Sequence, residues 1–379
     1  MNTDKRTFYE HSLRVILDNQ HASGAYIACP NMPDYCFSWF RDGAYIAYAL
    51  TVDGEVVSAF HDGSMAAQWE SASRFHNWCA QVVNDRREAI ERSIERAKCG
   101  MPVKPKDVIC ARYLPDGSEG PDGWPDFQLD GPGTWLWAME QYIRRAGITP
   151  LPAAWERAIT LTARYLDVLW QTPCYDCWEE RGHDVHISTL GAIFAGLNAA
   201  QTLVPGLDFT DTLRTIKGFV LERGLTPGGE LAKSVGLDMV DANLLSVAVP
   251  HGMLAVDDPI MQRTKDRIER ELHAPGSGVH RHLEDTYYGG GAWVLLALHL
   301  AWFYIETNEP AEASTLIDWV EQQATANYHL PEQVNTPMLD ERFYDPWVKE
   351  RGPIARPLLW THANYILVLR AGGFLNDTA

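Results

Sequence analysis

The chain of 379 residues is 46% hydrophobic and 22% charged, which excludes intrinsic disorder and leaves room for one large core or two average domains. Its 32 Lys+Arg against 50 Asp+Glu give a net charge of −18, which argues against nucleic acid and anionic membrane surfaces as partners. The 14 Trp, 15 Tyr and 12 Phe are enough either to fill a core or to line a site for a flat apolar face such as a sugar ring.

In chain order, MNTDKRTFYEHSLRVILDNQ has no apolar run before a cleavage site, so no secretory signal is read there, and its periodicity predicts a helix beginning within ten residues of Met1. PDYCFSWFRDGA follows, with Arg41-Asp42 just ahead of the helical GAYIAYALT. Asp42 then caps a helix while Arg41 stays on the surface, or the pair, beside Tyr35 and Trp39, grips vicinal hydroxyls of a sugar. Residues 100–130 form a long connection that ends at Asp130-Gly131-Pro132 and opens the helical GTWLWAMEQYIRRAG. A further helix from Ala153 leads into the connection 172–185, which carries CYDCWEE. There Trp178 precedes Glu179 and Glu180; an apolar ring desolvates a carboxyl and raises its pKa, as a general acid requires, while a second carboxylate accepts substrate hydrogen bonds. The alternative is two solvated loop glutamates.

The same stretch holds Cys174, Cys177, His183 and His186, formally a four-ligand zinc set. Its inner gap of five residues is shorter than a usual zinc-finger connection, so buried thiols beside two unrelated histidines are the preferred reading. All seven cysteines are read as reduced thiols of a cytoplasmic protein.

Helical patterns resume from His186, Pro259, Gly291 and Trp360, separated by the long connections 275–290 and 329–358. In VHRHLEDTYYGGGAW the three-Gly run lacks the Lys-Ser/Thr of a phosphate loop and reads as backbone packed closely on its neighbours. HLPEQVN sets Glu332 between helices, with Asp340, Glu341 and Asp345 as nearby carboxylates that the sequence does not separate from it. No run of 18 apolar residues is present to cross a membrane. About twelve helices with alternating short and long connections predict an all-α fold, six helical hairpins in a ring with the long loops on one face: an (α/α)6 barrel spanning 1–379 as a single domain.

Together these segments resemble the motifs of glycoside hydrolase family 15, the glucoamylase-like inverting α-glucosidases. Pro33, Asp34, Tyr35, Trp39, Arg41 and Asp42 match its first block; Asp130-Gly131-Pro132, with Trp124 upstream, its second; Asp176, Trp178, Glu179 and Glu180 its acid block. Arg281, Glu284, Asp285, Tyr287 and Tyr288, followed by Trp293, match a fourth, and Glu332-Gln333 with Leu358, Trp360 and Thr361 the base block. The resemblance implies that Glu179 is the general acid and Glu332 the general base. It further implies that Arg41 and Asp42 hold the non-reducing-end glucose with help from Arg281, and that Tyr35 lies beside the reacting ring. Trp39, Trp124, Trp178, Trp293 and Trp360 would shape the pocket, and Glu180 would contact the leaving-group sugar. No metal or organic cofactor is required, and the expected product is β-glucose released singly.

Helical pattern so close to Met1, with no Ser/Thr-rich tail, carries the expectation of neither an N-terminal β-sandwich nor a starch-binding module. That profile resembles small intracellular bacterial members of the family that cleave isomaltose, so a short α-1,6-linked gluco-oligosaccharide is the preferred substrate. The α-1,4 and α,α-1,1 (trehalose) linkages are the alternatives within the family. Outside it stand an inverting glycoside phosphorylase and a sugar-binding or zinc-structured protein without catalysis.

Overall fold

The computed structural model describes residues 5–52, 63–121, 123–274 and 276–375. In chain order the helices are α1 (Lys5–Asp18), α2 (Phe40–Thr51), α3 (Gly63–Asp85), α4 (Arg87–Lys98), α5 (Asp130–Ala146), α6 (Ala153–Leu169), α7 (Ile187–Leu203), α8 (Thr210–Arg223), a 3-10 segment (Ala242–Val247), α9 (Pro259–Leu272), α10 (Val294–Glu306), α11 (Pro310–Gln322), α12 (Tyr344–Arg351) and α13 (Leu359–Ala371).

Sequence pattern sorts them into two layers. α2, α5, α7, α10 and α13 are buried on nearly every face, as helices that are apolar all round must be. α9 buries a single stripe, Met261, Thr264, Lys265, Ile268 and Leu272, and exposes the rest. The inner elements close a ring: α2 packs on α5, α5 on α7, α7 on the 3-10 segment, that segment on α10, α10 on α13, and α13 back on α2. Outside it, α3 packs on α2, α6 on α5 and α7, α8 on α7, α9 on the 3-10 segment, α11 on α10 and α1 on α13. This is the expected (α/α)6 barrel, with one difference. Among the described residues the sixth inner element is the short 3-10 segment, capped by the Asp241 side chain on the Asn243 amide. Pro250, a few residues on, cannot continue a helix. α4 and α12 lie outside the ring pattern.

The tightest contact in the inner layer is between α5 and α7. A Cβ at Gly133 would stand 2.5 Å from the Ala192 carbonyl oxygen, and one at Gly196 2.7 Å from that of Gly133, so only glycine allows this approach. Trp135, Trp137, Trp155 and Trp302 are buried core residues, as their helical positions imply.

Two small antiparallel sheets sit at the entrances to inner helices. β1 (Ser38–Trp39) pairs with β2 (Arg112–Tyr113), and β3 (Gly291–Trp293) with β4 (Gln333–Met338), placing Trp293 opposite Gln333. The glycine run before α10 packs as its sequence suggests: a Cβ at Gly291 would lie 2.1 Å from the Val334 carbonyl oxygen. Each strand hands its tryptophan, Trp39 or Trp293, to the N-terminus of the next inner helix.

Candidate active site

At the N-terminal ends of the inner helices lies a cavity of about 520 Å³. Its floor comes from α2 and α13. Arg41 and Asp42 lie within the first turn of α2 rather than ahead of it, and both are buried, so neither is a surface charge or a cap. Arg41 Nη1 donates to Gln128 Oε1 and Asp130 Oδ2, both at 3.1 Å, its Nε stands 3.4 Å from Asp42 Oδ1, and its guanidinium lies 5.3 Å over the Trp360 ring. Burial pushes the Asp42 carboxyl up to about 6, against the pull of Arg41.

The acid loop is held by a buried ion cluster. Asp176 Oδ1 accepts from the amides of Trp178 (3.0 Å) and Glu180 (2.9 Å), a local turn that the oxygen of a short side chain closes. Lys233 Nζ reaches Asp176 Oδ2 at 2.8 Å and Asp241 Oδ2 at 2.7 Å. Between these fixed points Glu179 takes a left-handed backbone conformation, φ 67°, which costs a non-glycine residue strain and aims its side chain into the cavity. Its Oε1 accepts from the indole N–H groups of Trp39 (3.0 Å) and Trp124 (3.2 Å). The adjacent Trp178 does not supply that contact; its own indole donates to Asp241 Oδ2 (2.9 Å) and its ring packs 5.0 Å from Trp293. Glu180 lies 3.1 Å from Arg281 Nη2 and 2.9 Å from His282 Nε2. Burial opposes its ionisation, but Arg281, His282 and Lys233 outweigh that and hold it well below the usual carboxylate range. Arg281 is in turn fixed by a bidentate contact to Asp285.

Across the cavity, the Glu332 backbone is pinned on both sides: its amide donates to Ala355 O and its carbonyl accepts from Val294 N, each at 3.0 Å. Tyr35 Oη donates to Glu332 Oε1 at 3.0 Å and also lies 3.0 Å from Tyr287 Oη. Glu332 Oε2 is buried with no hydrogen-bond partner among the described residues, as are Trp293 Nε1 and Trp360 Nε1, a set that the hydroxyls of a polar ligand would satisfy. Burial pushes Glu332 up to about 8; Tyr35 and Arg281 oppose this, and the negative charges of Glu179 and Asp42 add to it. Burial also raises Glu179, against Arg41 and the two indoles. Coupled like charges release their protons in two steps, and between those steps the pair holds one acid and one carboxylate.

All twelve residues singled out from the sequence line this one cavity: Tyr35, Trp39, Arg41, Asp42, Trp124, Trp178, Glu179, Glu180, Arg281, Trp293, Glu332 and Trp360. Asp34, Tyr287, Trp347 and Arg351 also line it without having been given a role. Asp34 and Tyr287 stood inside recognised motifs; Trp347 and Arg351 belong to α12, hidden in a stretch read as loop. Lys233 and Asp241 were missed because their signal is a spatial one. The competing carboxylates separate out: Asp340, Glu341 and Asp345 do not line the cavity, and Asp340 pairs with Arg342 at the surface. The Cys/His set does not converge. The thiols of Cys174 and Cys177 are buried, His183 is exposed, and His186 Nε2 faces the Cys174 and Arg181 carbonyls.

A helical double ring enclosing a tryptophan-walled pocket with opposed carboxyl groups is the architecture of a glycoside hydrolase. The model of glycosyl hydrolases family 15 matches residues 4–341, and the chain belongs to that family. It is 34% identical over 375 residues to the isomaltose glucohydrolase of Kribbella flavida, covering 97% of this chain and 93% of that protein. A glycosidase solved in complex with glucose superposes with a TM-score of 0.89 at 33% identity, over 98% of both chains. The glucoamylase of Saccharomycopsis fibuligera, at 14% identity, shares the fold with a TM-score of 0.72 over 100% of this chain and 97% of its own.

Proposed function

We propose that this chain hydrolyses short α-glucosides from the non-reducing end with inversion, releasing β-glucose, and that α-1,6-linked isomaltose is its preferred substrate. The observation that carries this reading is the pair of carboxyls, half-buried Glu179 and buried Glu332, facing one cavity and each fixed through Oε1 by aromatic donors. Glu179 protonates the glycosidic oxygen. Glu332, whose Oε2 has no hydrogen-bond partner among the described residues, takes a proton from a water that attacks the anomeric carbon on the opposite face; inversion requires the two carboxyls to stand about 6.5–9.5 Å apart to admit that water. Arg41 and Asp42 grip the terminal glucose on the floor, which is buried and admits a chain end rather than a chain middle. Tyr35 orients Glu332 and lies beside the reacting ring. The linkage preference is supported by likeness to the Kribbella enzyme.

Fresh product from isomaltose, followed by proton NMR before mutarotation, is expected to be the β anomer; α-glucose first would overturn the mechanism. Leaving-group chemistry separates the two roles. Glu179→Gln is expected to lose about 10²–10⁴-fold on isomaltose yet retain activity on α-glucosyl fluoride, whose departure needs little protonation, whereas Glu332→Ala loses both. Faster turnover of maltose or trehalose than of isomaltose would refute the linkage.

A further inference from the structure

The mouth of the cavity is built by side chains that none of the roles above uses. α12 interrupts the connection between β4 and α13, and from it Trp347 and Arg351 reach the cavity. Arg351 Nη1 donates to Asp34 Oδ2 at 2.6 Å, and the two side chains keep 34% and 37% exposure, against 9% for Arg41 on the floor. The ion pair therefore stands where the pocket opens. Each member is braced from behind. Arg112, whose guanidinium lies 3.4 Å over the Trp124 ring, donates to the Asp34 carbonyl at 2.7 Å. Trp347 packs edge-on to Tyr287 at 5.0 Å, and Tyr288 Oη donates to the carbonyl of Gly352, just past α12, at 2.8 Å. A half-exposed ion pair contributes little to stability, yet this one is held in a fixed orientation against aromatic walls, an arrangement suited to recognition.

We infer that Arg351, Asp34 and Trp347 form the subsite for the leaving-group sugar, an inference that rests on the pocket cleaving α-glucosides. Arg351 presents a planar, permanently charged donor to the hydroxyls of the second ring, Asp34 fixes that donor and accepts a hydroxyl, and Trp347 offers the apolar wall. None of the three meets the glucose on the floor. α-Glucosyl fluoride fills the floor but has a single atom as its leaving group, so it never reaches the rim.

The test compares Arg351→Met and Trp347→Ala with wild type on α-glucosyl fluoride and on whichever of isomaltose, maltose, nigerose, kojibiose and trehalose the wild type cleaves fastest. On the disaccharide kcat/KM is expected to fall about tenfold or more, while on the fluoride it stays within about twofold, which also shows that the pocket is intact. Equal losses on both substrates, or no loss on the disaccharide, would overturn the subsite alone. A wild type active on the fluoride and inert on every disaccharide would sink the functional reading and the subsite with it.

Discussion

Lys233 does not itself line the cavity, and its replacement offers a quantitative test of how the acid loop is held. Its side chain is 2% exposed and its two nearest carboxylate partners, Asp176 and Asp241, 3% and 5%, with Glu180 Oε2 further off at 3.6 Å, so Lys233→Met leaves two fully buried negative charges without their cation. Breaking a buried pair in this way costs about 3–5 kcal/mol. Unfolding entropy of about 2.1 cal/mol/K per residue over 379 residues is about 0.8 kcal/mol/K, so Tm is expected to fall by about 4–6 °C. The loss has a sign in pH. Burial pushes Asp176 up, and Lys233, ahead of His186, more than offsets it, so the native carboxyl sits below its ordinary value. A depressed carboxyl contributes stability above its ordinary pKa and loses it as pH falls through the folded value. Without Lys233, burial prevails and Asp176 takes up a proton at higher pH, so the deficit against wild type is greatest near neutrality and shrinks on acidification. Scanning calorimetry at about pH 7 and about pH 5, with kcat measured alongside, reads both effects. Because Asp176 orders the amides flanking Glu179, kcat is expected to suffer more than KM. A Tm within about 1 °C of wild type, or a deficit independent of pH, would refute the reasoning.

Three further outcomes follow from the same geometry. Glu332, pushed up from 4.5 to about 8, keeps its proton in the fold at pH values where the unfolded chain has lost it, so its contribution to stability is present at low pH and is lost between about pH 4.5 and pH 8; Glu332→Gln is therefore expected to match wild type at about pH 4.5 and to be more stable by about 3–5 kcal/mol at about pH 8, measured by urea unfolding. Because burial raises both Glu179 and Glu332, the bell of kcat/KM against pH is expected to lie above that of two solvated carboxyls, and an optimum below about pH 4 would contradict it. Gly133→Ala forces α5 away from the Ala192 carbonyl and is expected to destabilise the fold by about 1–3 kcal/mol, measured by urea unfolding.

Most of the barrel was legible because helical periodicity is local: a helix apolar on all sides declares an inner position, and a single stripe an outer one. The 3-10 segment Ala242–Val247 escaped notice because so short a run has no measurable period, and its place in the ring is dictated by α7 and α10 on either side. α12 escaped for a related reason; YDPWVKER buries no residue fully, so no apolar face marks it. The site was legible where chemistry is clustered in sequence, as in Tyr35–Asp42 and Asp176–Glu180. Which carboxyl faces the cavity near the C-terminal end was not, since Glu332 is separated from Asp340, Glu341 and Asp345 only by tertiary contacts. The partners of Glu179 were likewise hidden: the neighbour in sequence, Trp178, turns to Asp241, while Trp39 and Trp124 arrive from other loops.

The pinned backbone of Glu332 bears on how activity first arises in a folding chain. Its amide is tied to Ala355 and its carbonyl to Val294; nearby Leu358 N donates to Leu330 O, and Leu359 N to Ala28 O, so the Glu332 carboxyl reaches its place only when segments from opposite ends of the polypeptide have met. Contacts of such long sequence separation form late, because the entropy of closing the intervening chain is lost before they reward it. Recovery of hydrolysis after dilution from denaturant should therefore trail the recovery of far-ultraviolet circular dichroism: the enzyme regains its helices first and its chemistry only when the last gap in the ring has shut.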